Sequence, residues 1–287
     1  LENGVLVHKK QEAMFKKTIL MICLFVGMMK GLSAQIPHSA AAPRSAAPIP
    51  FGVQDAMMID QLMVTSPGFT ISSLDALREQ SVKPYMMPVR RANDKGSELS
   101  YELASCLEFY KNLNENYKLN LSPDFITLNL QGQGIQPTPQ TAFRFLADVG
   151  TVDSAILPYG TTTLTNGVRS ALRYRISNFL QIFRDISKPR QKIYEIRKAL
   201  MRGNPVIVDF MADPSLPLAN GADEWKLQGQ ANQLYPLVVV GFNEDKQAVE
   251  AMSAWGSAWG RAGYVWIPYD DFGNLAVNGY VLIPTGF

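Results

Sequence analysis

Apolar side chains recur every three or four positions at Leu99, Leu103, Cys106, Leu107 and Tyr110. That is the spacing of one helical face, and it predicts a helix over Glu98 to Tyr117 with Ser97 as its cap. A second face, Ala142, Phe143 and Leu146, follows Thr138-Pro139 and stops at Gly150. There Thr138 is the expected cap, proline takes the first helical position and glycine ends the run. A third face, Ile193, Ile196, Ala199 and Leu200, is closed by Gly203. The pattern then changes. NPVIVDFMA, YPLVVVGF, GYVWIP and GYVLIP are short apolar runs that read as buried strands. Helices first and strands second imply an α+β class.

The remaining stretches are less regular. Residues 51–95 read as irregular, with a short helix around Ser73 to Gln80. LSPDFITLNLQGQG reads as a turn or short helix leading to a Gly-rich loop with Gly132 and Gly134. Residues 160–190 are polar and basic, with an amphipathic run from Val168 to Phe183. Residues 213–233 read as a polar loop holding Trp225.

The N-terminal end follows a different logic. From Met14, Lys16 and Lys17 precede an apolar run from Ile19 to Met29, then Ser33 and Ala34. This is the pattern of a secretory signal peptide cleaved after Ala34. The run has about half of the roughly 20 residues needed to span a bilayer. Cys23 lies inside it without the small residues that lipid attachment needs. Residues 1–34 therefore read as leader and signal peptide, with Met14 the expected start. Residues 35–50, rich in Pro, Ala and Ser, read as a linker. Residues 51–287 form the expected folded domain.

This division changes the charge picture. The leader carries five of the 27 basic and two of the 25 acidic residues, leaving 22 and 23 in the mature chain. A near-neutral chain without a basic run offers no nucleic-acid footprint. The mature chain keeps one cysteine, Cys106, and one histidine, His38 in the linker. No internal disulfide can form, and no cofactor or metal is called for.

The most specific motif is SAWGSAWGRAGYVWIPY, in which Trp255, Gly256, Trp259, Gly260, Gly263 and Tyr264 stand at fixed spacing. Upstream, Pro88-Val89 leads through Ala92 to Gly96-Ser97-Glu98. Together these resemble the papain-like cysteine peptidases over roughly residues 85–283. The resemblance implies a helical lobe at about 51–165, a β-barrel-like lobe at about 166–287, and a cleft between them. It also implies where the chemistry should be. The nucleophilic Cys position holds Glu98, the catalytic His position Tyr235, the orienting Asn position Ser253, and the oxyanion Gln position Ala92.

The substituted residues cannot perform that family's reaction. A thiolate at a helix N-terminus beside an imidazolium is what attacks the carbonyl. A carboxylate there is a poor proton donor, and a phenol titrating near ~10 is a weak base. The expectation is an exported pseudoenzyme, periplasmic or extracellular, that binds a peptide or protein partner, free or within an envelope complex. Cleft candidates are Glu98, Tyr235, Gly132, Gly134, Trp225 and Trp255. The alternatives are a hydrolase built on Glu98, which would need a second carboxylate such as Asp94, or a divergent cysteine-type peptidase.

Overall fold

The computed structural model describes residues 48–69, 74–92, 97–114 and 118–286. The expected signal peptide, His38, Asp94, Gly96 and most of the expected linker lie outside the described residues. Residues 49–287 form one unit. In chain order it contains α1 (Ala56–Leu62), α2 (Leu74–Arg78), β1 (Glu79–Ser81), α3 (Glu98–Asn114), α4 (Pro123–Gly132), α5 (Pro139–Asp148), β2 (Ile176–Phe183), α6 (Pro189–Met201), β3 (Val206–Ala212), β4 (Gln233–Asn243), β5 (Ala248–Met252), β6 (Tyr264–Pro268), α7 (Tyr269–Leu275) and β7 (Ala276–Pro284).

Local chemistry explains several boundaries. Thr138 caps α5 by accepting from Thr141 N, and the Thr141 side chain returns a bond to the Thr138 amide. Pro189 opens α6, and Gly203 (φ +73°) closes it. The α1 helix escaped the periodicity reading because its one buried residue is Ile59; the Asp55 carboxylate fixes its start by accepting from Met58 N at 2.9 Å. The amphipathic run from Val168 resolves into a 3₁₀ turn at Asn166–Arg169 and the strand β2. Its aromatic and branched residues favour a pleated, half-buried surface.

Helix α3 differs from the one-faced helix its spacing predicts. From Leu99 to Tyr110 every residue is buried. Its polar residues can be inside because most of them find partners. Glu108 takes both oxygens to Arg90 Nη2 at 2.8 Å, the Tyr101 hydroxyl donates to Asp124 at 3.0 Å, and the Tyr110 hydroxyl donates to Asn204 at 2.9 Å. A buried polar group is tolerated when it is paired.

The strands form one antiparallel sheet in the order β2-β7-β3-β4-β5-β6, with β1 on the far end of β4. The expected barrel-like closure is corrected here: the sheet is open, with β2 and β6 at its ends. The chain does not return β6 to β2; both edges are instead met by short bridges, Val53 to Leu180 and Glu224 to Trp266. The central strand β3 is flanked by β4 and β7, which accounts for its almost unbroken apolar run. Two segments of the first half, Val53 and Glu79–Ser81, bond to strands of the second. The class is α+β, as the order of elements implies.

The Trp-Gly stretch connects β5 to β6 and presses on the segment before α3. Trp259 is fully buried and its Nε1 donates to Leu216 O at 2.6 Å. Gly260 (φ +53°) passes so near Tyr264 that a Cβ would lie 2.1 Å from its carbonyl oxygen. Gly263 (φ +91°) would place a Cβ 2.6 Å from Val89. Both strain and overpacking oppose a side chain there. Gly263→Ala is therefore expected to lower the unfolding free energy by at least about 2 kcal/mol in urea denaturation. Gly134→Ala, at φ +70° with open space around the Cβ position, should cost only about 1 kcal/mol.

Candidate functional site

The start of α3 faces the ends of β3 and β4 across an open cavity of about 1110 Å³. One side is built by Arg91, Ala92, Glu98 and Leu99, with Pro137 and Pro139 before and at the start of α5. The other is built by Asp209 on β3, Gln233 to Pro236 on β4, Pro214, Pro217, Leu218 and Asn220 from the following loop, and Trp255 with Ala258.

The structure brings Ala92, Glu98, Tyr235 and Trp255 together around this cavity. Ala92 N donates to Ala254 O at 2.8 Å, so the approach to α3 is pinned to the Trp-Gly stretch. Ser97 O accepts from the Ser100 and Tyr101 amides, which makes Glu98 the first residue of the helix. Helix N-termini favour negative charge, and Glu98 supplies it. Tyr235, half-buried, meets Trp255 edge-on at 5.5 Å, and Trp255 meets Trp259 likewise at 5.0 Å. The Tyr235 hydroxyl donates to Gln233 Oε1 on its own strand rather than to Glu98. Burial, with Asp213 nearby, holds its pKa above the ordinary tyrosine value.

Ser253 stands apart from this group. It is fully buried at the end of β5, and its hydroxyl donates to Glu102 Oε1 at 3.2 Å. It therefore points into α3, not toward Tyr235. Gly132 and Gly134 are exposed at the end of α4 and do not line the cavity; Pro137 and Pro139 form that wall. Trp225 is also outside it. The indole is 2% exposed, packs edge-on against Phe210, and donates from Nε1 to Ser215 Oγ at 2.9 Å, so it pins the loop. Cys106 is buried in the core, two turns along α3 from Glu98, and burial pushes its thiol pKa well up.

Two carboxyls near the cavity were missed by motif spacing. Glu102, one turn along α3 from Glu98, is 1% exposed and its Oε2 has no hydrogen-bond partner. Burial, opposed by the Ser253 bond and reinforced by Glu98 and Asp209, raises its pKa well above the carboxylate range. Asp209 is 7% exposed, and burial raises its pKa against hydrogen bonds from Asn278 and Tyr280. The one signal for Asp209 in the sequence was a lone carboxylate inside the apolar run VIVDFMA. Among the described residues no cluster suited to a metal ion is present, and no helix is long and apolar enough to cross a membrane.

Solved structures resemble this arrangement. Xylellain, a cysteine protease from Xylella fastidiosa, superposes with a TM-score of 0.59 at 18% identity, covering 81% of this chain and 95% of that one. Digestive procathepsin L 3 of Tenebrio molitor larval midgut gives 0.59 at 16% identity, covering 79% and 78%. The Carica candamarcensis cysteine protease CMS1MS2, solved in complex with E-64, gives 0.58 at 15% identity, covering 72% and 98%. No family model and no curated protein sequence matches the chain. At these identities the likeness establishes the fold, and the fold is papain-like.

Glu102 generates a pH prediction. A carboxyl with a higher pKa folded than unfolded keeps its proton longer in the folded state. Above its unfolded value, near ~4.3, the folded state binds more protons and stability falls as pH rises, until the folded pKa is passed. Glu102→Gln should remove a negative slope of up to ~1.4 kcal/mol per pH unit from the unfolding free energy above pH ~4.3. Urea denaturation from acid to pH 8 measures it; an unchanged slope would mean that Glu102 does not carry the proton.

Proposed function

We propose that this chain is an exported papain-like pseudoenzyme that binds a peptide or a protein segment in its cleft and does not cleave it by thiol chemistry. The observation that carries this reading is that one cavity is lined by Ala92, Glu98 and Tyr235, the residues that the sequence resemblance sets at the oxyanion-donor, nucleophile and base positions. None of the three can act as thiolate, imidazole or side-chain oxyanion donor. Loss of one such oxyanion donor alone costs roughly 10²–10³ in rate. Cys106 is the one thiol among the described residues, and it is sealed in the core. The cavity meanwhile stays open and is lined by apolar and polar groups together, as a site for a peptide's side chains requires. Support for export comes from the leader beginning at Met14.

One observation favours a second reading, hydrolysis by repurposed carboxyls. Asp209 lines the same cavity as Glu98, and its raised pKa suits a proton donor while a carboxylate at Glu98 suits a base or nucleophile.

Incubation with a peptide library, with and without iodoacetamide, separates these readings. The expected result is binding without alkylation-sensitive cleavage; clear cleavage abolished by iodoacetamide would overturn the pseudoenzyme reading and restore a cysteine-type peptidase. Turnover insensitive to iodoacetamide and lost in Glu98→Gln would establish the second reading. Cys106 should resist a thiol reagent in the native protein and react fully on unfolding.

A further inference from the structure

The middle of β3 carries Asp209 between apolar neighbours, nine-tenths buried. Asn278, directly across on β7, donates from Nδ2 to its Oδ2 at 3.0 Å. The Tyr280 hydroxyl, two residues along the same strand, donates to that same oxygen at 3.1 Å. Two donors on one oxygen fix the carboxylate. Its Oδ1 has no hydrogen-bond partner among the described residues, yet it is not among the sealed, unpartnered atoms. Asp209 lines the cavity, so Oδ1 opens into it.

Glu98 lines the same cavity from α3. Both carboxyls also act electrostatically on the buried Glu102. Among the described lining residues the one cation is Arg91, which is exposed, so water and salt screen it. A nine-tenths-buried carboxylate is screened much less, and an ion pair made there is stronger. Leu218, Leu234, Pro236, Pro137 and Pro139 give the same cavity much apolar lining. Leu218 and Leu234 are 72% and 54% exposed, which leaves apolar surface uncovered at the rim.

We propose that this cavity takes a basic side chain of the bound peptide, arginine before lysine, with its charged head held by Asp209 in the cavity that Glu98 also lines and its aliphatic stem along Pro236, Leu234 and Leu218. This rests on the peptide-binding reading and specifies it. Long basic side chains lay an apolar stem on apolar surface while the head seeks charge. A planar guanidinium offers several donors at once to a fixed carboxylate and its surroundings, whereas an ammonium acts as a point charge.

Isothermal titration with capped pentapeptides Ala-Ala-Xaa-Ala-Ala tests this, with Xaa as arginine, lysine, citrulline, norleucine or glutamate. Arginine should bind at least about tenfold more tightly than citrulline, since charge-assisted bonds are roughly twice as strong as neutral ones. Asp209→Asn should cost the arginine peptide about tenfold or more and leave the norleucine peptide within about twofold. Glu98→Gln, at a half-exposed helix start, should weaken arginine binding in the same direction. Thermal melting of each variant identifies one that has lost its fold, and the wild-type panel decides the matter without either. Citrulline or norleucine binding as tightly as arginine would overturn the basic-group proposal and leave peptide binding standing. If none of the peptides binds, the peptide-binding reading fails with it.

Discussion

The cleft depends on one close backbone contact, between the segment leading into α3 and the Trp-Gly connection from β5 to β6. Ala92 N donates to Ala254 O, Arg91 pairs with Trp255 as an isolated bridge, and Gly263 makes room for Val89. These contacts couple the helical and sheet portions of the chain. They set Glu98 and Tyr235 on the same cavity although neither bonds to the other. A side chain at Gly263 would push the approach to α3 outward, and the cavity wall would move with it. The glycines and tryptophans are therefore parts of a joint.

This explains which features were legible from residues alone. The Trp-Gly spacing is dictated by close backbone approach at Gly260 and Gly263, so it can be read from the residues alone. The capping box at Thr138 and the apolar faces of α5 and α6 are local and equally readable. The burial of α3 from Leu99 to Tyr110 was not, because its polar residues are placed by partners far away in sequence: Asn204 for Tyr110 and Asp124 for Tyr101. Ser253 follows β5 directly, and its hydroxyl turns to Glu102, a relation that spacing does not encode. Trp225 and Asp209 exchanged roles for the same reason. An aromatic in a polar loop looked available but anchors that loop, while an acid in an apolar strand lines the cavity.

Three carboxyls gather where the sheet meets the first turns of α3. Glu102 is sealed, and a carboxyl in such a place is more stable with its proton. Replacing it by an apolar residue of similar volume would be neutral or stabilising in most cores. Its retention beside Ser253 leaves one oxygen without a partner, so packing alone gives no account of it. Its effect on the cavity is clearer. When Glu102 keeps its proton, the floor carries the charges of Glu98 and Asp209 without a third, and their mutual repulsion is correspondingly smaller.

The cavity walls constrain how anything could be held there. Pro137, Pro139, Pro214, Pro217 and Pro236 all line it. Proline has no amide hydrogen, so these positions cannot donate to a ligand backbone. Strand-like pairing with an extended peptide needs donors and acceptors in alternation, and at these positions half of that set is missing. What remains is apolar surface, the half-buried ring of Tyr235, a few polar side chains, the buried Asp209 and the half-exposed Glu98. Such a surface recognises side chains more than main chain. Its discrimination is then governed by charge and stem length, with Asp209 the deciding group because two donors on Oδ2 hold Oδ1 toward whatever enters.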